Sequence, residues 1–218
     1  MAVRCSGRRV PAAQLGVSVL DVLRRWKRRP FRIGVDGLTG AGKSTIANRL
    51  AAELGAGGFT CISLCADDFH NSRGVRYRLG RNSPEGYLRD AYDWNAIDHF
   101  VLTPLGPNGN RRYVEGTFDH RRDQPLRSPF LTAPADAVLV MDGSFLFRAE
   151  LRDHWDLRIL VELDHNVAEA RASTRDANLF GSQRAARRII RERYHAAHLL
   201  YQQEMSPRCC AHFIVENV

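Results

Sequence analysis

The run Gly37-Leu38-Thr39-Gly40-Ala41-Gly42-Lys43-Ser44, with Thr45 behind it, matches G-x-x-x-x-G-K-[ST]. Glycines at these places let the backbone curl until successive N–H groups point inward at phosphate oxygens, and a helix starting at the end of the loop adds the positive end of its dipole. Lys43 is spaced to reach β- and γ-phosphates. The Ser44 hydroxyl is spaced to join Mg²⁺, which neutralises charge on the β- and γ-oxygens during transfer. Asp36, just ahead of the loop, is placed to orient it. The pattern therefore implies ATP, the default nucleotide, and Mg²⁺ as cofactors, with residues 37–45 as the nucleotide-binding segment.

A loop that holds ATP needs carboxylates to complete the chemistry. One belongs on the Mg²⁺ side, and transfer to a hydroxyl needs another to take the proton of the attacking group. Two strand-like runs end in acids. Residues 59–65 run into Ala66-Asp67-Asp68-Phe69-His70, which puts Asp67 and Asp68 at the carboxyl edge of a parallel strand, where open α/β sheets bind ligands. Neighbours in sequence point apart, so one of the two faces the phosphates. Residues 137–141 run into Asp142-Gly143, an apolar run followed by an acid, which sets a carboxylate beside Mg²⁺; Ser44 and Asp142 are thus the expected metal ligands. A helix cap or turn is the competing role for any of these acids, and for Asp68 both readings stay open.

Positioning these groups requires a strand before the loop and a helix after it. Residues 31–36 are a short β-prone run, and residues 44–54 resume with helical periodicity. Further β-prone runs at 59–65, 137–141, 158–163 and 212–216 are apolar enough to be strands buried on both faces. Helical patterns lie between most of them. This alternation predicts an α/β fold, a doubly wound, mainly parallel sheet of five strands. Leu15, Val19, Val22, Leu23 and Trp26 fall at helical spacing before Arg24, Arg25, Lys27, Arg28 and Arg29 close the segment, so residues 1–29 read as a basic lead-in helix whose cationic end suits the helix dipole. Residues 71–134, rich in Arg, Gly, Pro and Asp, are too long for a mere connection. They are expected to form an acceptor-binding insert of a few helices and a small hairpin. No internal repeat is present.

Composition narrows the class. A chain of 218 residues suits one α/β domain with a sizeable core. With 44% hydrophobic and 26% charged residues it is ordinary for a globular protein, and no apolar run approaches the roughly 18 residues that span a bilayer. Arg4, Arg8 and Arg9 are not followed by the apolar stretch of a secretory signal, so a cytoplasmic location with no membrane partner is expected. The five cysteines, Cys5, Cys61, Cys65, Cys209 and Cys210, lack paired C-x-x-C spacing and read as reduced thiols. Net charge is +8, but the basic residues are scattered with no aromatic RNA-binding signature, which argues against a nucleic-acid partner.

Five segments in order resemble the motifs of the uridine kinase and phosphoribulokinase superfamily of P-loop kinases. They are residues 37–45 as the phosphate loop, 66–70 as D-[SD]-F-[YH], Tyr92-Asp93 as P-x-x-[FY]-D, Asp142-Gly143-Ser144-Phe145-Leu146 as E-G-[IV]-hydrophobic, and Arg171-x-x-x-Arg175-Asp176 with Gly181 as the R-R-x-x-R-D lid. The resemblance spans about 31–218 and is nearest in layout to uridine/cytidine kinases. It implies that Asp67 is the general base, that Lys43 and Arg175 act on the phosphates, and that Asp142 stands on the Mg²⁺ side. It also implies that Asp93 accepts hydrogen bonds from ribose hydroxyls and that residues 171–193 form an arginine-bearing lid. Phe118-Asp119-His120-Arg121 resembles the [YF]-D-x-x-x-H-x-R hairpin that holds the nucleoside base, although His120 sits too early for a gap-free match. Phe180-Gly181-Ser182 stands where the family carries arginines, and Asp142 replaces the usual Glu. On sequence alone, Arg171, Arg184, Arg187 and Arg188 equally suit a solvated helix face.

The expected activity is transfer of the γ-phosphoryl group of ATP to the 5′-hydroxyl of uridine or cytidine. A second reading keeps the mechanism and changes the acceptor to another riboside, a pantothenate-like alcohol or a sugar phosphate; the cluster Arg73, Arg76, Arg78 and Arg81 makes an anionic acceptor plausible. A third is a P-loop binding or switch protein, against which stands the absence of an N-K-x-D guanine reader. Only the resemblance suggests a homo-oligomer.

Overall fold

The computed structural model describes residues 7–27 and 30–217; the expectations for Cys5, Arg28 and Arg29 lie outside them. Strand β1 (Arg8–Arg9) leads to helix α1 (Leu15–Arg25), β2 (Phe31–Gly37) enters the phosphate loop, α2 (Lys43–Ala56) leaves it, and β3 (Cys61–Cys65) follows. Short elements come next: α3 (Arg73–Arg76), α4 (Pro84–Asp90), α5 (Trp94–Ile97) running into a π-helical turn at Asp98–Leu102, then β4 (Arg112–Tyr113), β5 (Phe118–Asp119), β6 (Gln124–Pro125) and β7 (Leu131–Thr132). Longer elements return with β8 (Val138–Gly143), β9 (Leu157–Glu162), α6 (His165–Arg175) and α7 (Gln183–Ile189). A second π-helical turn (Ile190–His195), α8 (Ala196–Met205), α9 (Pro207–Cys210) and β10 (Phe213–Glu216) complete the described chain.

The central sheet is parallel throughout, in the order β1-β10-β9-β2-β8-β3. It has six strands where the sequence predicted five. The sixth, β1, is made by backbone bonds of Arg8 N to His212 O (2.9 Å) and Val10 N to Ile214 O (2.9 Å), and two exposed arginines carry no hydrophobic period by which it could be read. The other five strands coincide with the predicted runs to within a residue or two. β4 pairs with β7 and β5 with β6, both antiparallel and outside the main sheet.

Burial explains the layering. Along β8, Val138 and Val140 face the cluster holding Phe31, Ile33 and Val35 of β2, together with Leu15, Val19 and Leu23 of α1 and Ile46 and Leu50 of α2. Leu139 and Met141 face the opposite cluster with Phe145, Phe147, Trp155 and Tyr201. A strand covered on both sides must be apolar at successive positions, which is why β8 reads as an unbroken run rather than an alternation. β3 departs from the prediction: it is the outer strand, with Ser63 exposed and Cys61 and Cys65 half-buried. Basic Arg24 and Arg25 end α1 in solvent, while Trp26 packs edge-on against Phe31 at 5.4 Å. The helix thus occupies only part of 1–29.

Cys61, Cys65 and Cys210 are free. Cys209 is disulfide-bonded, which corrects its reading as a reduced thiol; a disulfide depends on spatial approach that sequence spacing does not reveal. Among the described residues no helix is long and apolar enough to cross a membrane.

Candidate active site

Because β2 ends at the carboxyl edge of the sheet, the loop wraps over the first turn of α2. Gly40 and Gly42 both have φ of +88°, a left-handed conformation that favours glycine. A Cβ at Gly40 would strike the Ala168 carbonyl, and one at Gly42 the Asn217 amide. The loop is also tied from outside: Asn217 Nδ2 donates to Ala41 O at 2.8 Å, and His195 Nε2 lies 3.1 Å from Thr39 O. Lys43 Nζ donates to Leu38 O at 3.1 Å. Burial lowers the Lys43 pKa, and the carboxylates of Asp36, Asp67 and Asp142 oppose that.

Asp36 is the organiser the sequence expected. Fully buried, it accepts Gly37 N (2.6 Å) and Phe145 N (3.1 Å) on Oδ1, and the Tyr201 hydroxyl (2.6 Å) and Phe147 N (3.3 Å) on Oδ2. Burial raises its pKa, with Tyr201 and Lys43 chief among the groups pulling it down. One carboxylate thus locks the start of the loop to the segment after β8 and to α8.

On the other side of the loop, Ser44 Oγ donates to Asp142 Oδ2 at 2.6 Å. The parallel register sets Asp142 opposite Val35 of β2 and Cys65 of β3, and burial raises its pKa against the pull of Ser44 and Lys43. A cavity of about 410 Å³ opens here, lined by Ser44, Asn48, Cys65, Asp68, Glu115 and Asp142 among others. These oxygen donors fit a hard cation such as Mg²⁺. Among the described residues no cluster of three or more His, Cys, Asp or Glu could hold a metal by itself. Asp68, left open by the sequence, lines this cavity and is no cap, since Ser72 precedes α3. Glu115 was missed; it lies in irregular chain just after the two-residue strand β4, which carries no apolar run that would mark a strand end in the sequence. A second cavity of about 480 Å³, beside the loop, is lined by Leu38, Val161, Leu163, His198 and Asn217 among others.

Asp67 follows β3 in a 3₁₀ turn and is exposed. Tyr92 Oη donates to its Oδ1 at 3.1 Å and lies 3.4 Å from the Tyr87 hydroxyl. His70 Nδ1 sits 2.9 Å from Asp67 O, and the His70 ring stacks on His120 at 4.7 Å and tilts against Tyr92 at 4.4 Å. His120 is therefore stacked on His70, which meets the Asp67 carbonyl, despite its irregular spacing. Phe118 forms a β-bridge with Phe69 and is half-buried. Asp93 Oδ1 caps α5 by accepting Ala96 N at 2.9 Å, leaving Oδ2 for another donor.

Arg175 gives both its forks to Asp176 at 2.8 Å, which raises its pKa. Behind it, Glu169 of α6 accepts a bidentate pair from Arg191 (2.8 Å each) and a further contact from Arg187 (3.4 Å), while Gly181 makes the turn toward α7 with φ +82°. Arg187 and Arg191 thus tie the segment after Gly181 to α6, while Arg171, Arg184 and Arg188 lie on the exposed face. The cluster at 73–81 is likewise engaged internally: Arg76 pairs with Asp123, Arg78 with Asp90, and Arg73 donates to Arg121 O. Arg81 is exposed and lies 6.0 Å from the Tyr77 ring centre.

The Phosphoribulokinase / Uridine kinase family model matches residues 32–208. The uridine kinase of Leuconostoc citreum is 24% identical over 180 residues, covering 82% of this chain and 83% of that protein. That of Clostridium perfringens is 27% identical over 154 residues, covering 69% and 70%. Among solved structures, a possible uridine kinase from Bacillus stearothermophilus superposes with a TM-score of 0.69 at 21% identity, covering 92% of this chain and 96% of that one. The D-glycerate 3-kinase of Cryptococcus neoformans gives 0.62 at 14% identity, covering 94% and 95%. At these identities the two superpositions speak for the fold.

Proposed function

Because this chain belongs to the phosphoribulokinase/uridine kinase family of phosphotransferases with an alcohol acceptor, we propose that it moves the γ-phosphoryl group of ATP onto a nucleoside-like molecule, at the 5′-hydroxyl of a pyrimidine riboside such as uridine or cytidine. The observation that carries the reading is the meeting, at one sheet edge, of the glycine loop, the Ser44–Asp142 pair and Asp67.

Loop N–H groups and Lys43 hold the β- and γ-phosphates, and the second cavity seats the base of the nucleotide. Ser44 and Asp142 would hold Mg²⁺, which supplies charge neutralisation on the phosphates. Asp67, steadied by the Tyr92 hydroxyl, takes the proton of the acceptor hydroxyl. The acceptor oxygen bonds to the γ-phosphorus as the bond to the bridging oxygen breaks, and ADP leaves. Asp93, Phe118 and His120 line the acceptor side. Arg175 exchanges Asp176 for the phosphates when the α6–α7 segment closes, stabilising charge and excluding water.

An ATP-to-ADP coupled assay with Mg²⁺ over uridine, cytidine, adenosine, nicotinamide riboside, pantothenate and ribulose 5-phosphate tests this. Turnover on a pyrimidine riboside that falls by about 10²–10⁴ in Asp67→Asn, with ADP affinity retained, is the expected result. Turnover indifferent to acceptor would sink the reading.

A further inference from the structure

One charged group in this region has no part in the transfer as described. Arg193, in the π-helical turn Ile190–His195, is only 5% exposed. Its Nε is buried without a hydrogen-bond partner, and among the described residues it enters no ion pair. The other buried arginines all have anions: Arg32 has Asp156, Arg76 has Asp123 and Arg148 has Glu150. Arg193 has aromatic rings instead. Its guanidinium carbon lies 5.0 Å from the ring centres of Tyr77 and Tyr87 and 5.5 Å from that of Tyr194. Ring faces stabilise a cation but leave the buried Nε–H unsatisfied, and a buried cation without a counter-charge is costly.

The location gives the cost a purpose. The Tyr87 hydroxyl lies 3.4 Å from that of Tyr92, which donates to Asp67 at 3.1 Å, so the cation stands two tyrosines from the group that takes the acceptor's proton. A π-helical turn is uncommon and is frequently found at functional sites. A planar fork matches a carboxylate. A single guanidinium near the Asp67 carboxylate balances one negative charge better than the two of a phosphate monoester.

Resting on the kinase reading of this site, we propose that Arg193 sets acceptor specificity by binding a carboxylate, so that the preferred acceptor is a hydroxylated acid. Within the pyrimidine ribosides this means one whose base bears a carboxylate, ahead of neutral uridine.

The test compares acceptors that differ by one charge, uridine with its 6-carboxylate and nicotinamide riboside with nicotinic acid riboside, in wild type, Arg193→Gln and Arg193→Lys. The expected result is a wild-type kcat/KM on the order of tenfold higher for the acid of a pair, lost in Arg193→Gln chiefly through KM and partly kept in Arg193→Lys. A preference for the neutral partner, or a ratio unchanged in Arg193→Gln, overturns the proposal. A second arm needs no transfer: with ADP and Mg²⁺ saturating the loop, the melting temperature is followed as nicotinate or nicotinamide is added. A rise with nicotinate alone, in wild type and not in Arg193→Gln, supports the site; no rise, or equal rises in both proteins, overturns it. If nothing is phosphorylated while nicotinate still shifts only the wild type, the kinase reading fails and the anion site stands. Asp67-dependent turnover of uridine with ratios indifferent to Arg193 gives the reverse.

Discussion

Asp36 shows how much of the site rests on a residue fully buried beneath it. Its four acceptor bonds hold the first glycine of the loop and the N–H of Phe145, whose φ of +69° is sparsely populated for a bulky side chain. Tyr201 donates to Asp36 and accepts Phe147 N at 2.9 Å. Tyr201→Phe removes both bonds at once and leaves a buried carboxylate short of a donor. The expected loss is about 1–3 kcal/mol, read as a lower urea midpoint at unchanged slope, together with weaker ADP binding because the Gly37 bond depends on the same carboxylate. Unaltered ADP affinity would mean that the loop holds its shape without this hub. The motif made the loop legible; it could not reveal Tyr201, 165 residues away.

At the level of elements, α6 and α7 meet through Glu169, whose pKa is lowered chiefly by the Arg191 fork. The carboxylate is buried while Arg187 and Arg191 are largely exposed, so solvent screens part of the attraction. Glu169→Ala is expected to cost roughly 1–2 kcal/mol. Its sharper signature is faster hydrogen exchange across 176–189 and a raised KM for ATP, if these helices close over the phosphates. Exchange confined to wild-type rates would exclude Glu169 as the anchor. The sequence placed Arg175 and Asp176 side by side in this segment but not the fork between them, because a pairing of chain neighbours leaves no periodic mark. The two π-helical turns were equally invisible, since their side chains follow no spacing that distinguishes them from an α-helix.

For the whole molecule, buried histidines set the response to acid. Burial pushes His198 down to about 3 and His70 to about 4, against an ordinary value near 6.5. Between those values and 6.5 the unfolded chain binds protons that the folded one refuses, so stability present at neutral pH is lost as pH falls through the ordinary histidine value. Each contributes at most about 1.4 kcal/mol per pH unit. Urea midpoints should therefore drop between pH 7.5 and 5.5, before most carboxylates titrate, and His198→Gln should flatten the fall; equal midpoints at the two pH values would refute the account. The sheet makes a separate demand. Leu139, fully buried in β8, should cost about 2–5 kcal/mol on truncation to Ala, seen in the same titration. What the sequence determined by itself was local: a glycine loop, five apolar strands, and acids at the ends of two of them, because motif spacing and strand burial are written in neighbouring residues. Tertiary structure alone decided the edge position of β3, the sixth strand at Arg8–Arg9, the tie between Asp36 and Tyr201, and the tyrosine cage around Arg193. Those features join residues far apart in the chain, whose approach depends on how the layers pack rather than on any period in the sequence.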